Sequence, residues 1–116
     1  MDTLMDFVGE LVDKLLSAEF PGCSELREQA RGAQVRQIES HGAPAFLFDV
    51  LAGAPVARVL ERVPVEGQAL DRDGVTIHFL LHVLEGRLSE IEVFREDGQP
   101  IIKLPDIAVV SVVTNA

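Results

Sequence analysis

The sequence predicts an α+β fold: an N-terminal helical hairpin packed on one face of an antiparallel β-meander. Apolar residues recur at three- and four-residue steps near the N-terminus, and apolar and polar residues alternate after position 63. Three turns also share one chemistry: Asp71-Arg72-Asp73-Gly74, Val83-Leu84-Glu85-Gly86 and Arg95-Glu96-Asp97-Gly98. Each ends in the glycine that a type I turn followed by a bulge requires.

Leu4, Val8, Leu11, Val12, Leu15 and Leu16 form one stripe, with Asp6, Glu10, Asp13 and Lys14 largely opposite, which predicts a helix over 3–18. Phe20-Pro21-Gly22 ends it. A second helix is expected over 24–31, with Leu26 and Ala30 inward and Gly32 as a left-handed cap. Strands follow over 34–39 and 45–50, joined by a turn at His41-Gly42, and 51–55 reads as a loop. The meander is then predicted over 61–71, 75–84, 87–95 and 100–104, with a last β-branched run over 107–113 that reads as a central strand pairing with about 35–39 or as an edge covered by a second subunit. Pro100 and Pro105 make the fourth of these short and close to an edge.

The turn rule sets a register. Asp71 against Val75 places Ala69, Gly67 and Val65 opposite Ile77, Phe79 and Leu81, and Val63 opposite Val83. Val83 against Arg87 places Phe79 opposite Ile91 and Ile77 opposite Val93. One face thus collects Val63, Val65, Ala69, Ile77, Phe79, Leu81, Val83, Ile91, Val93 and Ile101, which the helices must cover. Gly67 lies under Phe79, an aromatic shielding a strand glycine. The second face receives Pro64, Glu66, Gln68, Leu70, Thr76, His78, Leu80, His82, Leu88, Glu90, Glu92 and Phe94.

This second face holds the candidate functional residues. His78 is expected opposite Gln68 on one neighbour and Glu92 on the other, so His78, Glu92 and Gln68 are the catalytic candidates, as a general base with an orienting carboxylate. As a binding surface, His78, Leu80, His82, Leu88, Glu90, Glu92 and Phe94 make a mixed apolar and charged patch of the kind that takes protein partners. No metal is expected. His78 and His82 are ~13 Å apart at strand rise, and one ion needs both imidazoles within ~2 Å.

The bulk numbers narrow the classes. At 116 residues the chain is expected to be one domain, burying roughly 65% of its unfolded surface. A net charge of −9 repels phosphate backbones and favours a basic protein partner over nucleic acid. With one cysteine, Cys23, no internal disulfide can form, and the thiol reads as a buried filler. The N-terminus carries acids instead of a positive n-region, and no apolar run is long enough for a bilayer, so a reducing cytoplasm is the expected compartment. There is no G-x-S-x-G, Walker, G-x-G-x-x-G, H-E-x-x-H or C-x-x-C motif, and no cofactor is expected.

Phe20-Pro21-Gly22, the segment 73–83 and the segment 96–105 together resemble a family of small bacterial proteins of unknown function. The resemblance implies a bacterial cytoplasmic protein and no particular activity; the predicted shape is similar to cystatin-like and NTF2-like folds. The leading expectation is a non-enzymatic protein-interaction module, in one form an immunity protein neutralising a basic toxin. The alternatives are a small enzyme or ligand-binding protein using His78 and Glu92, and a homodimer joined through residues 107–113.

Overall fold

The computed structural model describes residues 3–40 and 42–115; His41 of the expected His41-Gly42 turn lies outside them. Two helices, α1 (Thr3–Leu16) and α2 (Cys23–Gly32), precede six strands: β1 (Gln34–Ser40), β2 (Ala43–Asp49), β3 (Val65–Leu70), β4 (Thr76–Leu84), β5 (Arg87–Arg95) and β6 (Ser111–Thr114). The strands form one antiparallel sheet in the order β1-β2-β5-β4-β3-β6, so the architecture is α+β with both helices on one face.

The α1 stripe buries Val8, Leu11, Val12, Leu15 and Leu16 against β3 and the chain before β6. Leu15 reaches β3 because Gly67 has no side chain. A Cβ at Gly67 would stand 3.3 Å from Leu15 and 2.8 Å from Val110, and only 3.6 Å from the Cβ of Phe79. Phe7 packs on Phe79 at 6.0 Å. Each fully buried side chain of this core contributes about 1.5–3 kcal/mol relative to exposure. Lys14 fastens α1 to a 3-10 turn at Ile107–Val109 by donating to the carbonyl oxygen of Ile107 at 2.7 Å.

Several expectations are corrected. Gly32 is the last helical residue, not a left-handed cap; Ala33 is extended and leads directly into β1. β3 begins at Val65, and the chain from 50 to 64 crosses the sheet end as a loop. Arg62 holds the place expected of Val63, accepting the amide of Val83 on its carbonyl at 2.8 Å. Residues 100–104 form no strand, because the Asp71 carboxylate takes the amides of Ile102 and Lys103 at 2.8 and 3.0 Å. The β5 edge left open is filled by β2, with Phe46 opposite Ile91 and Leu47 opposite Glu90. The run 107–113 divides into the 3-10 turn and β6, which is an edge strand on β3 and does not pair with β1.

The β3–β4 register is the one that Asp71 and Gly74 dictate. The β4–β5 register is not the expected one. Glu85 (φ 52°) and Gly86 (φ 77°) are both left-handed, so the connection is a two-residue turn pairing Leu84 with Arg87. A bulge after His82 then shifts the pairing once more. Two one-residue shifts restore the alternation, so Ile91 and Val93 remain in the core, opposite Leu81 and Phe79. Leu88, which lies between the two shifts, turns inward and is buried, contrary to its expected place on the second face.

Candidate functional site

The uncovered face of the sheet is built on β4 and its neighbours. His78 has Gln68 opposite on β3, as expected, but Phe94 opposite on β5, where Glu92 was expected. The two-residue displacement of β5 moves Glu92 opposite Leu80 and Glu90 opposite His82. His78 and Glu92 therefore share a face without forming a pair.

Each histidine acquires its own set of partners. The His78 ring stacks on Phe94 at 5.0 Å and 18°. Its Nε2 lies 3.2 Å from Glu96, and its Nδ1 is 3.8 Å from Glu66, beyond hydrogen-bond reach. His82 is held at both ring nitrogens. The Nε–H of Arg62 donates to Nδ1 at 3.2 Å, so the ring proton sits on Nε2 and is donated to Glu92 at 2.8 Å. Arg62 comes from the loop before β3 and was not singled out from the sequence.

The arrangement bears on chemistry. A general base needs a lone pair open to the substrate proton. His82 has none, since its acceptor nitrogen is taken by Arg62. His78 faces a carboxylate from each side. Two clefts lie away from the histidines: one between α1, α2 and the β1–β2 hairpin, the other beside Leu70, Arg72 and Val109. Among the described residues no three His, Cys, Asp or Glu side chains are grouped to hold a metal.

Around the histidines the face alternates in character. Leu47, Leu80 and Phe94 are half-buried near its centre, while Ile38, Leu70, Leu84 and Val113 are exposed toward its margins. Glu66, Glu90, Glu92 and Glu96 lie among them, with Arg36, Arg62 and Arg87 as basic residues. Both helices lie behind the sheet, and the described residues place no element over this face.

A family model described as "Domain of unknown function (DUF6984)" matches residues 6–105. The chain belongs to this family. α1 from Asp6 onward, α2, β1 to β5 and the Asp71-bound segment fall within the matched span of the DUF6984 domain, whereas β6 follows it. No curated protein and no solved structure matches the chain.

A second polar cluster of the DUF6984 domain went unread in the sequence. Arg95, taken only as a turn residue, points to the core side at the sheet end and is buried. It donates to Asp71 at 2.9 Å, to Asp73 at 3.1 Å and to Asp97 at 2.7 and 3.0 Å. Backbone amides and Arg95 hold the Asp71 carboxyl well below the usual carboxylate range despite its burial. Arg95 and the amide of Gln99 lower Asp97 to about 2. The Asp-x-Asp-Gly and Arg-x-Asp-Gly turns were the available signal: both place acids at one end of the sheet. This cluster ties the two turns together and does not open onto the histidine face.

Proposed function

We propose that this domain is a protein-interaction module that engages a basic partner through the uncovered sheet face. The observation that carries this reading is a sheet with helices on one side only, whose other side mixes Leu47, Leu80 and Phe94 with four glutamates. An apolar centre among charged residues is how recognition surfaces are built, with the apolar groups supplying affinity and the charges supplying approach rate and register. The acids favour a cationic complement, and the net charge of −9 extends that field over the molecule. The occupied ring nitrogens of His82 and the carboxylates on both sides of His78 support binding over proton transfer. The stacked His78–Phe94 pair offers a rigid, half-buried aromatic surface to a partner.

The test is affinity capture from the source organism's extract with wild type, Leu80→Glu, Phe94→Glu and, as a control on the helical side, Glu28→Lys. The reading expects a basic protein held by wild type and Glu28→Lys, lost from both sheet-face variants, and released by raised salt. A captured protein that survives both sheet-face substitutions removes this reading.

A further inference from the structure

A cleft of about 560 Å³ lies on the opposite side of the molecule, between α1, α2 and the outer hairpin. Val8, Val12, Val35 and Phe48 form its apolar surface, and Val35 and Phe48 are only half-buried. Asp13 stands on the α1 wall, and Arg27 and Arg31 on the α2 wall.

We propose that this cleft binds a small amphipathic carboxylate, with its apolar body on Val12, Val35 and Phe48 and its head group on Arg31 and Arg27. The volume falls within the roughly 300–1,000 Å³ of small-molecule sites.

The head-group assignment follows from the two arginines. They stand one turn apart on α2 and so face the same cleft. Arg27 uses its Nε on the carbonyl of Leu16 and its Nη2 on Ala18 and Glu19, which fixes the guanidinium and leaves Nη1 uncommitted. The exposed side chain of Arg31 makes no hydrogen bond or ion pair with any described residue. Two adjacent cations, one positioned and one without a partner, at the edge of an apolar surface match a carboxylate, which accepts from a guanidinium in a fork. Asp13 on the facing wall repels an anionic group there and so directs a single head group to the α2 side.

The experiment is an amide NMR titration of the full chain with decanoate, decanol and decyltrimethylammonium. Decanoate is expected to shift Val12, Ala30, Arg31 and Val35 saturably, with decanol on the order of tenfold weaker for want of charge-assisted hydrogen bonds. Arg31→Ala should bring decanoate down to the affinity of the alcohol. Gly9→Leu gives a blocking variant that keeps the fold: Gly9 lines the cleft, a Cβ there meets nothing within 4 Å, and leucine is the better helix former. It should abolish binding of both molecules. No saturable binding, shifts confined to the sheet face, equal affinity for the ammonium compound, or an Arg31→Ala titration matching wild type would each overturn the proposal.

Discussion

At the scale of single residues, two buried polar groups carry roles that their own neighbours in sequence do not announce. Gln29 is buried on α2; its Nε2 donates to the carbonyls of Pro55 and Gly86, and its Oε1 accepts the amide of Leu88 at 2.9 Å. It thus joins α2, the long loop and the bulged start of β5. Gln29→Ala leaves these buried groups short of a partner and should cost about 1–3 kcal/mol in urea unfolding; an unchanged midpoint would contradict that role. Asp71 and Asp97 make stability depend on acid. Their folded carboxyls lie below the ordinary 3.8, so protons bind the unfolded chain first. Their stabilisation is complete well above 3.8 and drains away as the pH falls through about 2 for Asp97, and lower still for Asp71. Asp97→Asn should therefore flatten the fall of the urea midpoint over this acid range. His82 offers a third check: long-range nitrogen NMR should find the proton of its neutral form on Nε2, because Arg62 donates to Nδ1.

At the scale of elements, the β4–β5 hairpin shows what the chain's pattern discloses and what it hides. Gly74 and Gly98 close type I turns, and their positive φ values follow from the glycines alone. At Glu85-Gly86 the same glycine signal serves a shorter turn, because Glu85 enters the left-handed region without a residue type that advertises it. The resulting displacement is two residues, an even number. Face assignments based on alternation therefore survive for Ile77, Phe79, Leu81, Ile91 and Val93, and Gln68 stays opposite His78, while the β5 partner of His78 changes from Glu92 to Phe94. Core and site were unequally legible for that reason: burial depends on parity, whereas a pair of functional groups depends on absolute register. The missing strand at 100–104 has a separate cause, since its amides are claimed by Asp71, a contact across about 30 positions of sequence that periodicity cannot carry. Glu85→Asn should stabilise the hairpin by a few tenths to about 1 kcal/mol, as asparagine tolerates this conformation better. Gly86→Ala should destabilise by about 1–3 kcal/mol or more from its backbone alone, and its Cβ would also meet the carbonyl oxygen of Ala57 at 2.7 Å. Thermal melts of the pair should move in opposite directions; a shared direction would contradict the two-residue turn.

At the scale of the whole molecule, the sheet has two open edges and one open face. β6 is four residues long, and β1 carries exposed Arg36 and Glu39, both features that discourage edge-to-edge pairing. The isolated protein is accordingly expected to sediment as a monomer at high micromolar concentration; a concentration-dependent dimer would revive assembly through the C-terminal strand. The open face is a different matter, because Leu80 and Phe94 are only half-buried there and no described helix or strand lies over them. Belonging to the DUF6984 family assigns no activity, so the functional weight rests on this surface. The most direct measurement is photo-crosslinking from a benzophenone amino acid placed at position 80, compared with the same probe at position 28 on the helical side, in cells of the source organism. A basic protein joined at 80 and absent at 28 is the predicted result. Crosslinks from 28 alone, or from both positions equally, would contradict the assignment of the uncovered face as the binding surface.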